Sequence, residues 1–298
     1  MTVLAAPLPL RLRLREYYEL CKPRVVMLIT FTAVVGMFLA TPDMVPLKVL
    51  ALGSLGITLM AASAAAINQL LDRHVDARMA RTCGRPLVTG TLTVAESLGF
   101  AAILGTLGFA VLAAWVNALT AWLTLATLVG YAGVYTLYLK RATPQNIVIG
   151  GAAGAAPPVL GWAAVTNTVD PHALLLFLII FAWTPPHFWA LAIARRHDYA
   201  KVEIPMLPVT HGVEFTRLHV LLYTVILCLV TMLPYLTGMS GLIYLVAALL
   251  LNGRFLAHAV ALKLARRDDL PMRVFRFSIS YLMWLFLALL VDHYLPTT

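Results

Sequence analysis

The sequence alternates between long apolar runs and short polar breaks. A run of roughly 20 apolar residues is long enough to cross about 30 Å of hydrocarbon as a helix. The runs lie at residues 25–40, 47–71, 97–116, 119–139, 147–165, 173–194, 218–236, 242–262 and 277–295. This pattern predicts an all-α membrane protein with about nine transmembrane helices.

Composition agrees with a membrane protein and argues against a soluble one. The 298 residues are 61% hydrophobic and only 12% charged, whereas soluble domains are about 25% charged. The net charge of +9 would favour nucleic acid only if the basic residues formed a water-facing cluster. Three scattered cysteines have no metal-like spacing and are interpreted as packing residues.

The basic residues indicate how the chain is oriented in the membrane. Of the 22 lysines and arginines, only Lys48 and Arg254 lie outside the N-terminal segment and the alternate loops that share its side. Basic loops stay in the cytoplasm. We therefore expect a cytoplasmic N-terminus and an external C-terminus.

The loops also suggest how the chain is organised. The loops after the second and sixth spans are long, charged and cytoplasmic, and they lie four spans apart. This spacing predicts two four-helix halves plus a ninth helix around a central cavity. Residues 1–16 are expected to be a mobile tail, and residues 17–298 a single transmembrane domain.

The second span ends with three oxygen-bearing side chains, Asn68, Asp72 and Asp76. Residues four apart lie on one face of a helix, roughly 6 Å from each other. Two carboxylates this close to a bilayer repel each other, and a cation would relieve the repulsion. Oxygen ligands of this kind suit Mg²⁺, which fills its other positions with water and phosphate oxygens.

Arginines follow this group, and they have two interpretations. Arg81 and Arg85 can hold the free oxygens of a diphosphate through paired hydrogen bonds. Alternatively, the acids form surface ion pairs with Arg73 and Arg78, and the arginines only obey the topology rule.

The sixth span and the loop after it contain a second polar group. Pro185 and Pro186 are expected to break the helix beside a buried cavity, with His187 pointing into it. A histidine in a span is also often a packing residue. In the following loop, Asp198, Lys201 and Glu203 either complete a diphosphate clamp or are solvated. These alternatives remain open.

Two further basic positions are candidates for binding an anion. Lys140 lies between the fourth and fifth spans, on the cytoplasmic side. Arg254 lies within the eighth span. It either faces the cavity and pairs with a substrate carboxylate, or reaches along the helix to the membrane edge.

Several segments resemble the UbiA superfamily of intramembrane prenyltransferases, beginning with the Asn-x-x-x-Asp-x-x-x-Asp pattern. They are most similar to the branch of that superfamily that adds a farnesyl group to haem. The matching segments are Asn68 to Leu87, Lys22-Pro-Arg24, Lys140-Arg-x-Thr-Pro-Gln-Asn-Ile, Trp183-Thr-Pro-Pro-His-Phe-Trp-Ala-Leu, and Asp198-Tyr followed by Ile-Pro-Met-Leu-Pro-Val. The likeness runs from about Tyr17 to His211 by motifs and to the C-terminus by span pattern.

The resemblance implies transfer of a farnesyl group from farnesyl diphosphate to a vinyl group of haem B, giving haem O. Haem is then a substrate, and Mg²⁺ is the cofactor. The residues implied to bind Mg²⁺ are Asn68, Asp72 and Asp76, with Asp198 and Glu203 in the second acidic motif. Those implied to hold diphosphate are Arg81, Arg85, Lys140, Asp198 and Lys201, and the candidates for haem are His187, Arg24 and Arg254.

One position departs from the wider superfamily. Its second acidic motif often reads Asp-x-x-x-Asp, whereas the residue four after Asp198 is Val202 and the acid, Glu203, comes one place later. The resemblance further implies a bacterial inner membrane protein with a cytoplasmic active site, and terminal-oxidase haem-maturation proteins as partners. The alternatives are a related enzyme acting on another aromatic or chlorin acceptor, and a non-catalytic haem or ion transporter.

Overall fold

The computed structural model describes residues 9–265 and 267–295, and within these ranges the chain is helical with no strand. Its helices are α1 (Leu10–Leu20), α2 (Pro23–Leu39), α3 (Leu47–Asp76), α4 (Pro86–Thr89), α5 (Val94–Trp115), α6 (Ala118–Ala142), α7 (Asn146–Thr166), α8 (Pro171–Ala194), α9 (Arg196–Lys201), α10 (Leu207–Thr210), α11 (Val213–Leu236), α12 (Leu242–Leu264) and α13 (Leu270–Tyr294).

The predicted number of spans is confirmed. Among the described residues, 8 helices are long and apolar enough to cross a membrane. Helices α1 and α2 are bent by 54° relative to each other, and the number of spans rises to 9 if this pair is counted as one span. Each predicted run overlaps one of these helices. Their exposed surfaces are rich in leucine, valine and isoleucine, as expected where lipid rather than water surrounds the protein.

The described part of the predicted N-terminal tail is helical. Residues 1–8 lie outside the described residues, but α1 already begins at Leu10. Gln69 of α3 donates to the carbonyls of Glu19 and Leu20, at 3.1 Å and 3.0 Å. The last carbonyls of a helix lack partners within it, so these bonds hold the end of α1 against α3.

Consecutive spans are neighbours around a ring. The order of contact is α2, α3, α5, α6, α7, α8, α11, α12 and α13, and α13 returns to α2. Other contacts cross the ring, namely α2 against α7, α8 against α13, and α3 against both α6 and α7. The division into two four-helix halves plus a ninth helix remains a prediction, as does the central cavity.

Two glycines allow α2 and α7 to cross in close contact. A Cβ atom added to Gly36 would meet the backbone of Pro158, and one added to Gly161 would meet the backbone of Ala33. Small residues at such crossings let backbones approach where there is no water to drive association. The α2–α7 crossing thus joins the first predicted half to the second.

The proline pair in the sixth span does not break the helix, so that expectation was wrong. Helix α8 continues from Pro171 to Ala194 through Pro185 and Pro186, and both prolines are buried. Proline lacks an N–H donor, which weakens the helix ladder at this point. Close packing inside the protein maintains the helix here despite those missing bonds.

Candidate active site

The site is built on the last two turns of α3. Asn68, Asp72 and Asp76 lie four residues apart near the end of this helix, and all three are buried. Burial of a charged carboxylate costs on the order of several kcal/mol unless a positive partner compensates for the lost hydration. The neighbours of these side chains therefore decide what the site can do.

Each of the three side chains has its own cationic partner. Lys22 donates to Asn68 Oδ1, Lys140 Nζ lies 2.6 Å from Asp72 Oδ2, and Arg85 pairs with Asp76 Oδ2. The cations come from three places: the junction of α1 and α2, the end of α6, and the loop after α3. The tertiary structure thus brings together residues that are far apart in sequence.

The alternative pairing with Arg73 and Arg78 does not occur among the described residues. The guanidinium of Arg73 donates to the Leu70 carbonyl at 2.8 Å, and Arg78 is exposed. The acids of the site are therefore not an ordinary ion-paired helix end.

Lys22 belongs to the site, although the sequence analysis did not include it among the candidates. Its backbone is left-handed, with φ 51° and ψ 60°, a conformation that costs a non-glycine residue energy and often marks functional positions. The contacts of Gln69 with Glu19 and Leu20 hold the chain just before this turn. The available signal was the Lys-Pro-Arg segment directly before the first span.

Lys140 is held in place by the loop that follows it. The side-chain amide of Asn146 donates to the carbonyls of Thr143 and Lys140, at 2.7 Å and 3.4 Å. Asn146 is completely buried. The polar residues of this segment therefore fix the end of α6, where Lys140 reaches Asp72.

The second acidic motif is not joined to the first. Asp198 is half-buried, while Lys201 and Glu203 are exposed. No group of three histidine, cysteine, aspartate or glutamate side chains in the described ranges could hold a metal ion. Asp198 and Glu203 thus do not form one cluster with Asp72 and Asp76.

The loop after α3 and the loop after α8 nevertheless face each other through Tyr199 of α9. Burial raises the pKa of the Tyr199 phenol, whereas the nearby positive charges of Arg81 and Arg85 lower it. Arg81 itself is exposed at the rim of the site. The second motif therefore borders the arginines that follow α3.

His187 lies inside the bundle. Its ring is stacked between Trp183 and Phe275, with ring centroids 4.2 Å and 4.6 Å away. Its Nδ1 lies 2.7 Å from Ser278 Oγ, and that hydroxyl donates its own proton to the Phe275 carbonyl. Nδ1 must then carry the proton that His187 donates, which leaves a lone pair on Nε2.

Arg24 and Arg254 are both exposed. Arg254 lies over the ring of Phe277, 5.3 Å from its centroid. Neither arginine belongs to the group of cations around Asp72 and Asp76.

Buried oxygen-bearing side chains beside cations, at one end of a helical membrane bundle, are the arrangement expected of a membrane protein that binds a polyanionic head group. The family model for the UbiA prenyltransferase family matches residues 29–289. The chain belongs to this family of prenyltransferases.

Curated relatives match nearly the whole chain. The protoheme IX farnesyltransferase of Hahella chejuensis is 62% identical over 284 residues, which cover 95% of each chain. The protein of the same name from Nitrosomonas eutropha is also 62% identical, over 282 residues and 95% of each chain.

Solved structures share the fold. A digeranylgeranylglyceryl phosphate synthase aligns with a TM-score of 0.79 and 18% identity, covering 95% of this chain and 99% of that one. A UbiA homologue from Archaeoglobus fulgidus bound to DMAPP and Mg²⁺ aligns with a TM-score of 0.61 and 18% identity, covering 92% of this chain and 99% of that one.

Proposed function

We propose that this protein transfers a farnesyl group from farnesyl diphosphate to a vinyl group of haem B, with addition of water, giving haem O and diphosphate. The observation that carries this proposal is the buried Asn68, Asp72 and Asp76 group with its three cations. The identity of 62% with protoheme IX farnesyltransferases supports haem as the acceptor.

The donor set fits Mg²⁺. Asn68, Asp72 and Asp76 offer oxygen atoms only, at the end of a helix where water and substrate phosphate can supply further ligands. When bound, the ion would neutralise charge on the leaving diphosphate. Asp198 and Glu203 are proposed as additional ligands, which requires the second motif to approach the first.

In this proposal the cations exchange partners when substrate binds. Lys22, Lys140 and Arg85 now compensate the site's own polar and acidic side chains. With metal on the carboxylates, the same three groups would be free to bind phosphate oxygens, together with Arg81 and Lys201 at the rim. Charge-assisted hydrogen bonds of this type are the strong ones.

The residues act by binding and by stabilising charge. The allylic carbon–oxygen bond breaks, and its electron pair leaves with the diphosphate, where the basic side chains stabilise the growing negative charge. The vinyl group of haem attacks the allylic carbon. Water then adds to the positive carbon that results and releases a proton.

Three residues are proposed for the acceptor. His187 offers an Nε2 lone pair, and its contact with Ser278 would orient the ring, as is usual for metal-bound histidines. Arg24 and Arg254 are proposed to bind the propionates, since both guanidinium groups are exposed.

The proposed function extends to the location of the protein and its partners. The bacterial origin of the similar proteins supports a bacterial inner membrane, and the distribution of basic residues favours an active site that faces the cytoplasm. Terminal-oxidase haem-maturation proteins are then the proposed recipients of the product.

The proposed function can be tested with purified full-length protein in lipid, given farnesyl diphosphate, haem B and Mg²⁺. Mass analysis should show haem O, and phosphate analysis should show diphosphate; removal of Mg²⁺ with a chelator should stop both. Product on another aromatic or chlorin acceptor but not on haem would favour a related prenyltransferase. Haem binding without release of diphosphate would favour a transporter.

The Asp72→Asn variant tests the mechanism in the same assay. Because this change weakens the metal site and removes the negative charge that pairs with Lys140, we expect turnover to fall about 10²- to 10³-fold. Asp43→Asn, in the exposed connection between α2 and α3, is the matched control and should keep normal turnover. Near-normal activity of Asp72→Asn would remove this mechanism.

A further inference from the structure

Part of α6 is wound as a π-helix, from Gly130 to Leu139. Short π-helical segments are rare and are often found at functional sites. This segment leads directly into Lys140, which binds Asp72, so it forms one wall of the candidate site. Thr136 lies within it and is only 2% exposed.

Thr136 connects the π-helix to α3 through two hydrogen bonds. Asn68 Nδ2 lies 3.0 Å from Thr136 Oγ1, and Thr136 Oγ1 donates to the Tyr131 carbonyl at 2.8 Å. That carbonyl is five residues earlier in the chain, which is the spacing of a π-helical turn.

These bonds fix which way the Asn68 amide points. A threonine hydroxyl has one proton, and Thr136 uses it on the Tyr131 carbonyl. The hydroxyl oxygen must therefore accept from Asn68, and only the Nδ2 end of the amide can donate. Oδ1 is turned to the opposite side, where Lys22 binds it.

The contact repeats one turn further along both helices. Thr136 binds Asn68, and four residues later on each helix Lys140 binds Asp72. The π-helical segment is therefore aligned with the row of oxygen ligands on α3.

We propose that Thr136 is a positioning residue for the metal–diphosphate site, and that it acts by presenting Asn68 Oδ1 to the bound ion. This inference rests on the proposed function only as far as the binding of Mg²⁺ and diphosphate. Without the hydroxyl, the amide loses the contact that holds Nδ2 away from the ion, and Nδ2, which cannot be a ligand, can turn into the site. Partners that orient a ligand typically affect metal affinity 10- to 100-fold.

The test uses Thr136→Val, which keeps the shape but removes the hydroxyl, and Thr136→Ser, which keeps the hydroxyl. The measurement is calorimetric titration of the full chain in lipid with Mg²⁺ in the presence of inorganic diphosphate, without haem. We expect a Kd for Mg²⁺ about 10-fold or more higher in Thr136→Val, and Thr136→Ser within about threefold of the original protein. Thr124→Val is the matched control, because Thr124 is buried on the same helix and bonds only to the Thr120 carbonyl.

Two further measurements exclude a purely structural role. Thermal unfolding of Thr136→Val should match that of Thr124→Val, and Thr136→Val should add no further loss of affinity in an Asn68→Ala background. Unchanged Mg²⁺ affinity in Thr136→Val, or equal losses in the valine and serine variants, would overturn the inference. If the original protein binds Mg²⁺ and diphosphate but makes no haem O, the proposed function fails separately.

Discussion

At the scale of single residues, the site is a set of oppositely charged or polar pairs drawn from distant parts of the chain. Lys140 with Asp72 and Arg85 with Asp76 are mostly shielded from solvent. Such pairs contribute little to stability once the cost of burial is counted. Their position is better explained by an anion that the cations bind when substrate arrives.

Lys140 should matter for the binding of diphosphate. In Lys140→Met, we expect the KM for farnesyl diphosphate to rise about 10-fold or more, because one charge-assisted bond to phosphate is lost. Lys140→Arg should recover part of this affinity, and steady-state kinetics with haem at saturation measures both. Arg141→Met is the control, since Arg141 is adjacent but exposed; an equal effect there would contradict a specific role for Lys140.

At the scale of helices, the position of the site depends on how the spans cross. Helix α3 supplies the ligands, while α6 and the start of α2 supply cations, so these three helices must keep their relative positions. The crossing of α2 with α7 holds α2 in place from the other side. Gly161 and Gly36 make that crossing possible because neither has a Cβ atom.

Adding one methyl group at this crossing should destabilise the protein. Gly161→Ala places a Cβ against the backbone of Ala33, and overpacking of this kind costs about 1–3 kcal/mol. Gly154→Ala, on the same span with nothing near its added Cβ, should stay within about 0.5 kcal/mol of the original protein. Reversible unfolding in mixed micelles compares the two, and equal stabilities would show that the crossing is not tightly packed.

At the scale of the whole molecule, the basic loops predict which side of the membrane the site faces. The positive-inside rule predicts that the loop after α3 lies in the cytoplasm. Cys83 lies in that loop and is exposed, while Cys21 and Cys228 are partly buried. The chain therefore contains a natural reporter close to the site.

A membrane-impermeant maleimide should label Cys83 in inverted inner-membrane vesicles but not in intact right-side-out vesicles. Cys83→Ser is the control that assigns the label to this residue. Labelling from the outside in sealed right-side-out vesicles would reverse the proposed orientation and put the active site on the other face.

The sequence by itself determined the spans and the row formed by Asn68, Asp72 and Asp76 on α3. Apolar runs of membrane length predict helices because lipid offers no hydrogen bonds to an open backbone, and each run overlaps a helix of the structure. Likewise, Asn68, Asp72 and Asp76 share a face through local helical geometry alone. The expected helix break at Pro185 was wrong, because packing against the other helices keeps this segment helical.

Only the tertiary structure decided which side chains meet this row. Lys22 reaches Asn68 from 46 residues away, and Thr136 and Lys140 each reach α3 across 68 residues. The contacts depend on a left-handed turn held by Gln69 and on a π-helical segment, and neither follows from apolar periodicity. Helix periodicity specifies which residues share one face, whereas the faces that meet are set by the packing of all the spans together.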